Sequence, residues 1–231
     1  MTETTELKII IAQAAVKSRI ESGPAWSLAE ISTFSGVPVS EIFRLFPTKR
    51  SMLDFWYTSL ILKYRAMCEE LPEYDELTLS EKLSNFMLSI VDMLGEEHEF
   101  STQSFDPIVF KNQSWHPFKK ETAALLKEII EGHEGVSQCA RVFLWDEIFD
   151  FLAVEFLHVL KFTLRDKSPG KEKTVALVDK LSNFISEILC NRIIDSGLDL
   201  FRLFWQEGII KVDAYIPFVG RIKSGSNTSK K

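Results

Sequence analysis

The chain has 231 residues, of which 45% are hydrophobic and 26% are charged. A soft prior of roughly 150 residues per domain gives one or two domains, and the hydrophobic content favours a packed core over a disordered chain. No run of about 18 apolar residues occurs, so we expect no transmembrane helix and no membrane partner. The segment Met1–Lys8 lacks the basic-then-apolar order of a signal peptide, and we therefore expect a cytoplasmic protein.

The formal net charge is −6, which argues against a generally basic nucleic-acid binder. The charge is unevenly spread along the chain. Residues 1–58 hold six basic and six acidic residues, whereas residues 211–231 hold five basic residues and one acidic residue. The acidity is therefore concentrated in the middle of the chain, which indicates two parts with different partners.

The chain shows no catalytic or metal-binding pattern. Its three cysteines are Cys68, Cys139 and Cys190, and an odd, scattered set argues against a disulfide framework or a Cys-x-x-Cys metal site. No two histidines are spaced as metal ligands on one helix face. No glycine-rich phosphate loop and no nucleophile elbow occur. We predict neither an enzyme nor a metal or cofactor site.

The sequence of the N-terminal region predicts that the chain begins with two short helices. The first ends at Gly23–Pro24, because Pro cannot continue a helix. Ser27 and Glu30 form a capping box that begins the second helix, and Gly36 ends it. The apolar face of the first helix consists of Leu7, Ile10, Ile11, Ala14 and Ala15.

A third short helix is predicted over Val39–Leu45, and Phe46–Pro47 ends it. Thr48 can then cap a long fourth helix that runs from Lys49 to about residue 70. Pro72 and the polar residues after it mark a boundary.

Helical periodicity continues after this boundary. Thr78 and Glu81 form a second capping box, which begins a helix that Gly95 closes. An apolar stripe with helical spacing supports that helix. The stripe consists of Leu83, Phe86, Met87, Ile90, Val91 and Leu94.

The segment from residue 96 to 117 is predicted to be irregular, because Asp106–Pro107 is a breaker. Three long helices follow, and the first runs from Phe118 to Gly132 or Gly135. The other two cover Ser137–Leu164 and Lys171–Ser196.

One more helix is predicted over Leu198–Ile210, and the composition of the remaining tail is typical of a flexible end. No strand pattern occurs, so the chain is predicted to be all-α. The predicted domains are 1–48, a connecting helix at 49–71, a helical domain at 72–212, and a flexible basic tail at 213–231.

Two short helices around a glycine turn, followed by an aromatic-Pro-Thr-Lys step into a longer helix, form a specific arrangement. It resembles the N-terminal helix-turn-helix of the TetR family of bacterial transcription regulators over roughly residues 5–65. The resemblance implies a DNA-binding domain at 1–48 and a C-terminal helical bundle for ligand binding and dimerisation. The residues that carry it are Ile10, Ile11, Ala14, Ala15, Ser27–Ile31, Ser35–Val37, Ile42–Lys49 and Leu53.

The resemblance implies that the third helix enters the major groove of a palindromic double-stranded operator. Arg44 and Lys49 are then phosphate or base contacts, or else they are only solvated charges. Val39 and Phe43 either touch thymine methyl groups or the sugar, or they only pack inside the domain. The residues expected to contact DNA are Ser27, Val39, Ser40, Phe43, Arg44, Thr48 and Lys49.

Several positions depart from the recognition surface that is usual in the family. Trp26 stands where a phosphate-binding Thr is usual, and Phe43 replaces a Tyr and so lacks its hydroxyl. Val39 occupies a position that is often Lys or Arg. Glu41 would face a polyanion, which is unfavourable unless it accepts a hydrogen bond from a cytosine. Since affinity for DNA comes mostly from neutralising phosphates, the balanced charge of this region weakens the prediction of DNA binding.

The aromatic residues are concentrated between Phe143 and Phe162. One interpretation is an apolar effector pocket, and the other is an ordinary core with a dimer interface. The helices Ser137–Leu164 and Lys171–Ser196 are apolar on more than one face, so we predict that they pair with a second copy in a homodimer. The predicted pocket residues are Phe86, Ile90, Phe149 and Phe156.

Two functions follow from these patterns. The first is a homodimeric DNA-binding regulator, expected to be a repressor, that responds to a small apolar effector. The alternative is a protein of the same fold that has lost operator binding and acts as a lipophilic-ligand binding or partner-docking module.

Overall fold

The computed structural model describes residues 2–142 and 144–191. All the regular elements in these two ranges are helical, and the ranges contain no β-strand. The prediction of an all-α chain is therefore confirmed. The α-helices of these ranges are α1 (Glu3–Ser22), α2 (Leu28–Ser35), α3 (Val39–Leu45), α4 (Lys49–Glu69), α5 (Leu79–Glu96), α6 (His98–Ile108), α7 (Pro117–Glu131), α8 (Gln138–Val142), α9 (Asp146–Thr163) and α10 (Glu172–Cys190).

Local capping explains where three of these helices begin. Ser27, Thr48 and Thr78 lie immediately before α2, α4 and α5, and each side chain accepts a hydrogen bond from the backbone three residues later. A cap of this kind contributes about 1 kcal/mol. Glu30 and Glu81 complete the boxes of α2 and α5 by bonding back to the cap residue.

The N-terminal part, residues 3–53, is called the head below. In it, α1 packs against both α2 and α4, and α2 packs against α3. The apolar side chains between these helices are fully buried and give the head a small core of its own. They include Ile11, Ala15, Ile31, Ile42 and Met52.

The rest of the described chain, residues 54–191, is called the body. Here α7 packs against α4 and α9, and α5 packs against α10. Large aromatic rings fill the centre: Phe86 on α5 lies 4.9 Å from Phe156 and 5.2 Å from Tyr64, measured between ring centroids. Helix α4 contributes to the head at its first turn and to this core further along, so it joins the two parts.

One predicted loop is a helix. The segment from residue 96 to 117 was expected to be irregular, whereas residues His98–Ile108 form α6. Pro107 is the penultimate residue of that helix. Proline lacks the N–H that would bond to the carbonyl of residue 103, and this one loss falls in the last turn, so Pro107 ends the helix without preventing its earlier turns.

The prediction of one helix over Ser137–Leu164 is wrong. Two helices, α8 and α9, lie there, and Trp145 between them has an extended backbone (φ −94°, ψ 166°). The apolar pattern continues through this break, so periodicity alone does not reveal it.

The last described helix, α10, begins one residue later than predicted because Lys171 has a φ of +55° and cannot be helical. Residues 192–196 of that prediction, the predicted helix Leu198–Ile210 and the predicted tail lie outside the described residues. In the part of the chain that the structure does describe, no helix combines the length and apolar character needed to cross a membrane.

Candidate functional site

The turn between α2 and α3 is held by short-range hydrogen bonds. Gly36 has a φ of +70°, in the left-handed region that favours glycine. Its N–H donates to the Ser32 carbonyl over 2.9 Å, and the Ser32 hydroxyl donates to the Val37 carbonyl over 2.7 Å. The Val37 N–H donates to the Ser35 hydroxyl over 3.2 Å. These bonds fix the direction in which α3 leaves α2.

Helix α3 exposes two apolar side chains, Val39 and Phe43, beside the polar Ser40 and Arg44. Phe43 is 63% exposed and Val39 is 41% exposed, whereas Ile42 is fully buried against the head. Ser40 is exposed beside them. Internal packing therefore does not account for Phe43 or Val39, and both side chains are free to touch another molecule.

Arg44 on this helix is engaged by its neighbour Glu41. The Arg44 Nε donates to Glu41 Oε2 over 2.9 Å, and its Nη2 donates to Glu41 Oε1. This bidentate pair raises the pKa of Arg44 and lowers the pKa of Glu41 from their ordinary values. The local charge of the pair is close to zero, so a phosphate has to compete with Glu41 for the exposed Arg44 guanidinium.

Lys49, at the start of α4, is engaged by Trp26. Its ammonium donates a hydrogen bond to the Trp26 carbonyl and lies 5.0 Å from the centroid of the indole ring. Trp26 itself is buried. Lys49 therefore joins the start of α4 to the segment between α1 and α2. It can contribute to a phosphate site only in addition to this contact with Trp26.

The two other predicted contacts are helix caps. The Ser27 hydroxyl accepts from the Glu30 N–H over 3.2 Å, and the Thr48 hydroxyl accepts from the Ser51 N–H over 3.0 Å. Thr48 is exposed beside the N-terminus of the long helix α4, where backbone N–H groups favour an anion.

Glu30 has a larger role than its capping box indicated. It accepts hydrogen bonds from the Ser18 hydroxyl (2.7 Å), the Ser22 hydroxyl (2.8 Å) and the Ser27 N–H (2.9 Å). The bond from Ser18 is the largest cause of its pKa being held below the ordinary value. Glu30 thus links α1 to α2, and only the box itself could be predicted from the sequence.

An apolar groove of about 480 Å³ lies on the body between α9 and α10. Side chains of α5 and α7 form its floor. Phe184 at its edge is 59% exposed, and Phe151 and Phe162 are exposed as well. The lining includes Leu83, Met87, Leu126, Ile130, Phe156, Leu181 and Ile185.

Only part of the predicted effector pocket coincides with this groove. Phe156 lines it, whereas Phe86, Ile90 and Phe149 are buried in the core and do not contribute to its lining. The difference arises because helical periodicity identifies the apolar face of a helix but not the place where two such faces separate.

The C-terminal half of the chain matches a family. The model of the tetracyclin repressor-like C-terminal domain matches residues 82–203, just over half of the chain. The chain belongs to the tetracyclin repressor-like family. The groove-lining residues, from Leu83 to Ile185, all lie within the matched segment. The head lies outside it. No curated protein matches this sequence.

The repressor-like assignment agrees with an all-α body that offers a ligand-sized apolar groove. Among residues 2–142 and 144–191, no group of three or more His, Cys, Asp or Glu side chains is placed to hold a metal ion. Cys68, Cys139 and Cys190 are half-buried and form no disulfide.

Proposed function

We propose that this chain is a homodimeric DNA-binding regulator, with a repressing role, whose body binds a small apolar effector. The observation that carries the proposal is the pair of helices α2 and α3 around Gly36 in a member of a repressor-like family. Two short helices joined by a tight turn present the second helix to the major groove. A regulator of this kind acts in the cytoplasm, where its operator lies.

On DNA, α3 would read bases largely by apolar contact. The exposed Val39 and Phe43 can meet thymine methyl groups, and Ser40 can bond a base edge or a phosphate. Thr48 and the N–H groups that begin α4 can hold a backbone phosphate. Arg44 joins them once a phosphate competes with Glu41 for its guanidinium.

The dimer would form through α9 and α10. Both helices expose large apolar side chains that one copy leaves in water, among them Phe151 and Phe184. An obligate interface of this type buries more than about 2,000 Å² in total. A second copy on this face would also cover the groove and turn it into an enclosed apolar site. Effector binding and dimer geometry would then be coupled.

An effector acts only through a difference in affinity between the DNA-competent and DNA-incompetent states. The groove lies on the helices that would pair, so its occupancy can change the angle between the two copies and hence the spacing of the two heads. We expect an apolar effector, because the groove wall is almost entirely hydrophobic.

The alternative function is a ligand-binding or partner-docking module of the same fold without DNA binding. The neutralised Glu41–Arg44 pair and the exposed Phe43 favour it. A short helix with exposed apolar residues and little free charge can dock on a protein as well as on DNA.

Gel-shift titration of DNA from the upstream region of the protein's own gene separates the two functions. The regulator should shift one fragment of that region at a concentration well below the one needed for an unrelated fragment of equal length. Equal or absent shifts would contradict the proposed regulator and favour the alternative function, a ligand-binding or partner-docking module. Replacing Ser40 by Ala should change which fragment is preferred, since Ser40 lies on the exposed N-terminal turn of α3.

A further inference from the structure

A second cavity, separate from the apolar groove, lies where the head meets the body. It encloses about 530 Å³ between the end of α1, the first turns of α4 and helix α6. This volume is within the usual range of about 300–1,000 Å³ for small-molecule sites. The lining residues are Arg19, Ile20, Gly23, Pro24, Arg50, Leu53, Glu99, Phe100, Gln103, Ser104, Pro107 and Ile108.

Two guanidinium groups line this cavity. Arg50 donates from Nε to Asp54 over 2.6 Å and from Nη2 to the Ile108 carbonyl over 3.0 Å. Its Nη1 has no partner among the described residues. These two bonds hold the Arg50 side chain against α6, so its position is set before any ligand arrives.

Arg19 differs from the other basic residues of the head. Among the described residues, those others each contact a carboxylate, a backbone carbonyl or an aromatic ring, and Arg19 contacts none of these. The engaged residues are Lys8, Lys17, Arg44, Lys49 and Arg50. A half-buried guanidinium without a partner in a cavity leaves its charge available to a ligand.

The remaining wall combines apolar and polar groups. Ile20, Leu53 and Phe100 form the apolar part. Glu99 is the acidic side chain of the lining, and it accepts a hydrogen bond from Gln103 over 3.4 Å. Because Asp54 pairs with Arg50, Arg19 is the cation of the lining that has no carboxylate partner among the described residues.

We propose that this cavity binds a small organic anion, in which a carboxylate or phosphate group is attached to a compact apolar body. The acidic group would lie between Arg19 and Arg50, because a guanidinium pairs with a carboxylate or phosphate through parallel hydrogen bonds. The apolar body would lie against Leu53 and Phe100. Anion binding at this site does not depend on DNA binding, so it is tested separately from the proposed regulator function.

The proposal is tested by calorimetric titration of the full chain with four probes at two salt concentrations. Benzoate and phenyl phosphate represent the two acidic groups, benzamide is the neutral analogue of benzoate, and inorganic phosphate lacks the apolar body. We expect benzoate or phenyl phosphate to bind more than about tenfold more tightly than benzamide, and to bind less tightly at higher salt. Inorganic phosphate should bind more weakly than phenyl phosphate.

Three variants assign that binding to this cavity. Arg19→Gln should weaken benzoate binding about tenfold without lowering the melting temperature, because Arg19 has no partner to lose among the described residues. Glu99→Gln removes the competing charge and should tighten binding about two- to threefold, a gain that misfolding cannot produce. Arg165→Gln, which removes an exposed cation outside the cavity, should leave the affinity unchanged.

Three results would overturn the proposal. They are equal affinity for benzoate and benzamide, unchanged benzoate affinity in Arg19→Gln, and no heat of binding for either organic anion at about 10 mM. None of them depends on whether the chain binds DNA, so a failure here leaves the gel-shift result standing.

Discussion

The head and the body of this chain differ in the kind of surface that they leave exposed. Several charges of the head are engaged internally: Arg44 bonds to Glu41, Lys49 bonds to Trp26, and Glu30 links α1 to α2, whereas Arg19 has no such contact among the described residues. The body leaves a hydrophobic groove and several large aromatic side chains exposed between α9 and α10. A satisfied surface needs no partner for stability, whereas an apolar one of this size does. The proposed dimer therefore rests on the apolar surface of the body, and the proposed DNA binding would have to come from a head with modest free charge.

The largest expected effect concerns the aromatic core of the body. Phe86→Ala should reduce the free energy of unfolding by about 3–5 kcal/mol, because a fully buried ring is replaced by a cavity that its neighbours cannot fill. Phe43→Ala in the head should change it by less than about 0.5 kcal/mol, since that ring is mostly in water. Urea unfolding of both variants at one protein concentration measures the contrast. Similar losses in the two variants would contradict the burial of Phe86 and the exposure of Phe43.

The second expected effect concerns assembly. Phe184→Asp places a charge in the apolar face of α10 and should weaken the dimer by more than about 100-fold, since an unpaired charge would be buried. Sedimentation velocity should show a dimer for the wild type at micromolar concentration and a monomer for the variant. Trp115→Asp is the matched control, because Trp115 is exposed and lies between α6 and α7 in the sequence, outside α9 and α10. A monomeric wild type would refute the proposed interface.

The third effect is a pH dependence that arises in the head. The pKa of Glu30 is held below its ordinary value of 4.5 by hydrogen bonds from Ser18, Ser27 and Ser22. A carboxylate whose pKa is lowered by folding stabilises the fold above its unfolded pKa, and this contribution is lost as the pH falls through the folded pKa. Glu30→Gln should therefore lower the melting temperature at pH 7. The difference in melting temperature between wild type and variant should become smaller below about pH 4.

Thermal melting in buffers between pH 3 and 7 measures this difference, with Glu21→Gln as the control at an exposed position of the adjoining helix α1. An equal difference between wild type and Glu30→Gln at every pH would show that the carboxylate charge of Glu30 does not stabilise the head.

The smallest expected effect concerns Lys49. Its replacement by Ala should weaken binding to all DNA sequences about equally and reduce the salt dependence by about one phosphate contact. Lys167→Ala removes an exposed lysine from the body and should leave both quantities unchanged. If only one sequence were affected by Lys49→Ala, Lys49 would be a base contact and not a phosphate contact.

The features that depended on neighbouring residues were predictable from the sequence. The capping boxes at Ser27 and Thr78 correctly placed the starts of α2 and α5, because both partners of each bond lie within one turn. The break before α9 was missed because hydrophobic residues continue through it. Helix α6 was missed because Pro107 was interpreted as preventing a helix that it only ends.

The site was harder to predict for a physical reason. The contact of Lys49 with Trp26 joins residues that are 23 positions apart, and it depends on how α4 packs against α1. The groove likewise depends on the separation of α9 from α10, which periodicity does not encode. The Glu41–Arg44 pair, in contrast, has a spacing of three residues on one helix and could have been anticipated.

The head is proposed to bind DNA although most of its basic side chains are engaged internally, and one titration measures whether it does. Fluorescence anisotropy of labelled operator candidates should be measured with wild type and Glu41→Lys at two salt concentrations. Glu41→Lys removes one repulsion, adds one attraction and frees Arg44, so it should raise non-specific affinity and steepen the salt dependence. We expect the wild type to bind with an affinity that falls as salt rises, and the variant to bind more tightly. No salt-dependent binding by either protein, even at low ionic strength, would contradict the account and leave the docking module as the function.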